Sequence, residues 1–319
     1  MKNKILESIK PVIRSSRFVK IKKENIKTFC NNFNSHNLQY WMEASPFDLS
    51  DLSEREKLNF IFVFNSLNFC YWGEPKWTIE YEGKKIDGAW AMIASLKRAL
   101  KEGFPILKAD FLAKIKKEEL KRIFRGNVEI PLFEKRLKIL RENGKTLEQK
   151  YKGELANVLE KAKKNTLKLL QILVSDFPSF NDFAIYKGKK VLFHKRAQLL
   201  ISDIYRTFKG KSYGNLSDID QLTAFADYKI PQVLRKLEIL EYAFDLASKI
   251  DNKIPIPAGS EEEIEIRANT IWAIEIIKEK LKPKIPNIKS FEIDSYLWLL
   301  GQNKTPNDKP YHLTRTIFY

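Results

Sequence analysis

The stretch EEEIEIRANTIWAIEIIKEKL, residues 261–281, sets apolar side chains three and four positions apart, the spacing that gathers them on one face of an α-helix. A segment of this kind is stable only when that face is covered, so its neighbours must supply a matching surface. PQVLRKLEILEYAFDLASKI and LLQILVSDF repeat the spacing. Ser260 stands where a helix N-cap is needed, and Glu263 three residues later predicts a capping box. Pro231 fits the first turn of a helix, where its missing N–H costs nothing. Two segments break the pattern. WTIEYEGKKIDG alternates apolar residues around Glu82-Gly83, and FAIYKGKKVLFHK does so around Lys187-Gly188, which predicts two β-hairpins. Neither is large enough to found a sheet. The fold class is therefore mainly α, a single helical domain with small β-hairpins.

Hydrophobic residues make up 44% of the 319, and aromatics 12%, enough to fill a substantial core. The longest apolar run, FIFVFNSLNFCYW, is interrupted by Asn65 and Asn68 and falls short of a membrane span. Cys30 and Cys70 are the two cysteines and form no CxxC pair, so a reducing, cytoplasmic setting fits better than a disulfide framework or zinc site. The formal charge of +17 raises the question of a polyanionic partner. Its distribution argues against one at the candidate site. Residues 1–40 hold nine Lys/Arg against two acids, whereas residues 215–275 hold six against twelve.

Those acidic residues include the segment with the most chemical promise, SDIDQLTAFADYKIPQ. Asp218, Asp220 and Asp227 lie close together, with Phe225 and Tyr228 flanking the last. Two readings compete. Asp218 and Asp227 serve as caps for the turns that follow. Alternatively, a carboxylate beside a stacking aromatic is what cleavage of a sugar–base bond requires, because the oxocarbenium-like transition state is stabilised by a fixed negative charge. FHKRAQLLISDIY presents Lys195 and Arg196 as candidate phosphate ligands at the start of an amphipathic helix. FEIDSYLWLL sets Asp294 among aromatics, where a lone carboxylate needs a donor or a cationic ligand. His36, His194 and His312 are too scattered for a metal cluster, and no phosphate loop, HExxH or GxSxG occurs. LNFCYW and DGAWAMIASLKRALKEGFPI read as core packing, and the closing RTIFY as a docked terminus.

LNFCYW, YEGKKIDGAWAMIASLKRALKEGFPI, IPLFEKRLKIL, FPSFNDFAIYKGKKVLFHKRAQLL, DIDQLTAFADYKIPQVL, EEIEIRANTIWAIE and LWLL follow one another from about residue 58 to the end of the chain. In that order they resemble the queuosine salvage proteins, the queuosine 5′-phosphate N-glycosylases. The resemblance implies a fold similar to helix-hairpin-helix DNA glycosylases over 58–319, preceded by a basic, mostly helical extension, 1–57, packed on the body. It implies hydrolysis of queuosine 5′-monophosphate to queuine and ribose 5-phosphate, a salvage step for tRNA modification, without metal or organic cofactor. The partner implied is a small nucleotide; direct nucleic-acid binding is not expected. Asp227 matches the catalytic aspartate, Phe225 the base-contacting aromatic and Asp294 an acidic contact to the base. Tyr228, Ser295, Asp220, Lys195 and Arg196 complete the candidate substrate contacts. Leu299 stands where the family carries an acid, Ser295 where a tyrosine is frequent, and His36 does not align with the family's substrate-contacting histidine. These departures bear on which 7-deazaguanine is bound. The alternatives are a non-catalytic nucleic-acid-binding protein, or a DNA or tRNA glycosylase on the same fold.

Overall fold

The Glu261–Leu281 helix runs through one of the main hydrophobic clusters, with Ile264, Ile271, Ile274 and Leu281 all at 0% exposure. Each such side chain contributes about 1.5–3 kcal/mol by leaving water. The computed structural model describes residues 3–43, 48–303, 305 and 308–319. Around this helix pack Lys4–Ser15, through Ile5, Ile9 and Val12, together with Lys229–Lys236 and Ser290–Leu300. The N-terminal segment thus shares a core with the C-terminal third. Of the expected 1–57 extension, residues 1–2 and 44–47 lie outside the described residues.

At its start the long helix departs slightly from expectation. Ser260 Oγ accepts the Glu263 N–H at 3.3 Å, as a cap should. The Glu263 carboxylate accepts from Gly259 N–H at 3.1 Å instead of closing the reciprocal bond to Ser260. The remainder of that carboxylate is engaged by Arg267 and by the hydroxyl of Tyr319. Such buried partners outweigh a surface capping bond.

The first part of the interrupted apolar run, as far as Leu67, lies in the Glu54–Leu67 helix, which is buried on all sides from Leu58 to Leu67. Its Asn65 donates from Nδ2 to Ile61 O and to Asp203 on the neighbouring Lys195–Thr207 helix. Among the described residues no helix is long and apolar enough to cross a membrane.

Both hairpins form where the turn residues require them. Thr78–Tyr81 pairs antiparallel with Lys84–Asp87, and Phe183–Tyr186 with Lys189–Leu192. The connecting Glu82-Gly83 and Lys187-Gly188 take φ of 49° and 73°, and of 48° and 76°, the left-handed pair of a tight hairpin turn. A third antiparallel pair joins Val19–Ile21 to Leu240–Tyr242. Three-residue strands carry no readable alternation, which is why the sequence did not announce it.

Candidate active site

The Lys195–Thr207 helix turns Lys195, Leu199, Ser202 and Arg206 toward a single cavity of about 210 Å³. Their spacing of four, three and four is one helical face. A helix advances about 100° per residue, so Arg196 cannot share that face with Lys195. Arg196 instead lies buried with its guanidinium on the backbone carbonyls of Asn65, Ser66 and Ser179, which corrects its assignment to the substrate. Burial pushes it down to about 9. Lys195 is 5% exposed. Its backbone N–H donates to Asp182 Oδ2 at 3.1 Å. Among the described residues its ammonium makes no hydrogen bond or ion pair with protein. Burial pushes that ammonium down, while the carboxylates of Asp227 and Asp294 act to keep it charged.

Asp227 and Phe225 enter the cavity from the loop before the Lys229–Lys236 helix. Asp227 Oδ1 accepts the N–H groups of Lys229 at 2.8 Å and Ile230 at 2.9 Å. It is therefore a cap and a cavity residue at once: both capping bonds fall on one oxygen, so the two readings of Asp227 do not compete. Pro231 is the third residue of that helix. The loop is held from behind, where Arg267 Nε donates to Ala226 O at 3.2 Å. Arg267 itself is clamped by Asp182, at 3.0 and 2.6 Å, and lies 3.9 Å from the centre of the Phe193 ring.

Asp294 faces this loop from the Ser290–Leu300 helix, and its Oδ2 accepts the Phe225 N–H at 2.8 Å. Burial first, then the charge on Asp227, pushes its carboxyl well above the usual carboxylate range. Tyr228 also lines the cavity, its ring 4.7 Å from that of Tyr311. Ser295 is a lining residue whose hydroxyl is already taken: it accepts Trp41 N–H and donates to Gln39 O, both at 2.9 Å.

Asp220 is not part of this site. It lies exposed in the short Ile219–Gln221 turn, where Ile219 is the buried residue. Asp218 caps nothing with its side chain and accepts from Asn165 Nδ2 at 2.6 Å. Leu299 does not line the cavity; it packs against the cluster containing Trp41 and Phe64, while Trp298 and Gln302 face the site. Leu299→Asp is accordingly expected to lower the melting temperature without lowering KM, as parallel melting and steady-state measurements would show. His36 is exposed and does not line the cavity. Among the described residues no group of His, Cys, Asp and Glu could hold a metal.

Several lining residues escaped sequence reasoning. Phe69–Tyr71 and Gly88–Trp90 come from the strings read as core packing, and Tyr40 and Trp41 from a stretch without periodicity. Tyr319, read as docked, is buried and also reaches the cavity wall. The readable signal was the polar face of the Lys195–Thr207 helix, where Ser202 and Arg206 continue the line begun by Lys195.

The queuosine salvage protein family model matches residues 49–319. A Sphaerobacter thermophilus protein named queuosine 5′-phosphate N-glycosylase/hydrolase is 46% identical over 83% of this chain and 82% of its own. Proteins of the same name from Nematostella vectensis and Mus musculus are 38% and 36% identical, over 90% and 84% of this chain and 88% and 83% of theirs. With the model spanning most of the sequence and these identities sustained over most of both chains, the protein belongs to the queuosine salvage protein family.

Proposed function

We propose that this protein hydrolyses the N-glycosidic bond of queuosine 5′-phosphate, releasing queuine and ribose 5-phosphate. The observation that carries the reading is the convergence of Asp227, Asp294, Lys195 and Phe225 on one cavity, in a chain whose relatives bear that activity in their names. As the bond from C1′ to the base nitrogen breaks, positive charge develops on the sugar. Asp227 supplies the fixed negative charge that stabilises it. Water adds its oxygen to C1′, one of its protons is released, and the base leaves with a proton on the nitrogen. Phe225 offers an aromatic surface to the planar heterocycle. Asp294 meets the secondary ammonium of queuine, and the arriving cation offsets the cost of ionising a buried carboxyl.

Lys195 is the candidate for the 5′-phosphate. Lys195 is a buried residue, and among the described residues its ammonium makes no hydrogen bond or ion pair with protein; a phosphate dianion would satisfy it. Lys195→Met is expected to cut kcat/KM on the nucleotide by about tenfold to a hundredfold, from loss of a charge-assisted contact, and to change it little on the nucleoside. Equal losses on both substrates would assign Lys195 to the shape of the cavity instead.

The cavity is lined by four basic residues, Lys76, Lys195, Arg206 and Lys229, and four acidic ones, Asp87, Asp227, Glu292 and Asp294, a balance that supports a mononucleotide over a polynucleotide, whose backbone calls for a uniformly basic surface. The direct test is incubation with queuosine 5′-monophosphate and detection of free queuine by mass. Folded protein that releases none would overturn the reading.

A further inference from the structure

One wall of the cavity is formed by residues 38–41, a segment with no regular secondary structure. Among the described residues, backbone bonds tie the ends of this segment only to nearby residues, Leu38 N–H to Ser35 O and Glu43 N–H to Tyr40 O. Side chains therefore do the fastening, and the main fixture lies on the Lys195–Thr207 helix. Asp203 Oδ1 accepts the Tyr40 hydroxyl at 2.9 Å and the Trp41 indole N–H at 3.1 Å. Its other oxygen accepts Asn65 Nδ2 at 2.8 Å, which fixes the carboxylate against the buried Glu54–Leu67 helix. Asp203 is 0% exposed and does not line the cavity, whereas Tyr40 and Trp41 do. Arg206, one turn along, lies 5.4 Å from the centre of the Tyr40 ring, and Ser295 holds the backbone at Gln39 and Trp41.

We propose that Asp203 is a positioning residue for the nucleotide, holding the 38–41 wall against the cavity through Tyr40 and Trp41. A carboxylate suits this task because it accepts from several donors at once and needs to donate to none. Burial raises it to about 6, which leaves it ionised at neutral pH. The inference rests on the proposed nucleotide hydrolysis for its kinetic readout, but not for its structural one.

The experiment compares Asp203→Ala with Asp203→Asn and wild type. Asp203→Ala is expected to raise KM for queuosine 5′-monophosphate about tenfold or more while changing kcat by less than about threefold, the pattern of lost substrate binding without lost chemistry. Asp203→Asn retains one acceptor oxygen and is expected to recover most of that loss. In substrate-free protein, amide hydrogen exchange across 38–43 should quicken in Asp203→Ala while 54–67 and 261–281 stay protected. Should Asp203→Ala fail to fold, the double variant Tyr40→Phe/Trp41→Phe removes both donors, keeps aromatic packing, and should show the same KM rise and local exchange. An unchanged KM in folded variants, or exchange that quickens evenly through the chain, would overturn the positioning role. Wild-type protein inert toward queuosine 5′-monophosphate would instead defeat the proposed reaction, and the exchange comparison would still decide whether Asp203 holds the wall.

Discussion

Asp227→Asn is expected to lower kcat on queuosine 5′-monophosphate by about 10³-fold or more, a loss of about 4 kcal/mol of transition-state stabilisation. The substitution separates the two tasks of this residue. An amide oxygen can still accept the N–H groups of Lys229 and Ile230, so the start of the Lys229–Lys236 helix keeps its cap. The negative charge that the proposed reaction sets against the sugar disappears. Melting temperature is therefore expected to stay within a few degrees of wild type, and single-turnover assays should show that the chemical step has slowed. A folded variant with near-normal turnover would leave Asp227 as a cap alone.

The largest effect on stability is expected at Arg267, which does not line the cavity. Arg267→Met strands the buried carboxylate of Asp182, whose side chain is 2% exposed, and removes a partner of Glu263. Breaking one side of a buried ion pair costs about 3–5 kcal/mol, a large part of the margin of an ordinary domain. Activity should fall with it, because Arg267 holds Ala226 O beside Asp227 and orients Asp182, which in turn accepts the N–H of Lys195. Denaturant titration would measure the loss. Asp182→Asn added to Arg267→Met should cost less than the two changes summed, since the pair shares one interaction. Strict additivity would show that the two residues act independently.

The helical body was legible because its segments repeat at helical spacing, and the hairpins because Glu82-Gly83 and Lys187-Gly188 are the residues a left-handed two-residue turn accepts. Asp227, Phe225 and Asp294 stood out in the sequence, and the structure brings all three to one cavity. Arg196 misled because adjacency along a chain was read as adjacency in space, which a helix forbids. Asp220 misled for a related reason: closeness to Asp227 in sequence says nothing of direction once a turn intervenes. Tyr40, Trp41 and Asp203 were hidden because their meaning arises from contacts across more than 160 positions, to which no local pattern corresponds. Ser295 carried the opposite lesson, since a plausible ligand hydroxyl proved to be committed to the backbone of a distant segment.

The placement of the Lys195 ammonium bears on stability. Among the described residues it makes no hydrogen bond or ion pair, and the nearby charges of Asp227 and Asp294 offset only part of the cost of burying it. If Lys195 receives an anion, as proposed, part of that cost returns as affinity. On the proposed assignment of Lys195 to phosphate, free phosphate esters would stabilise the fold as well as compete for the site.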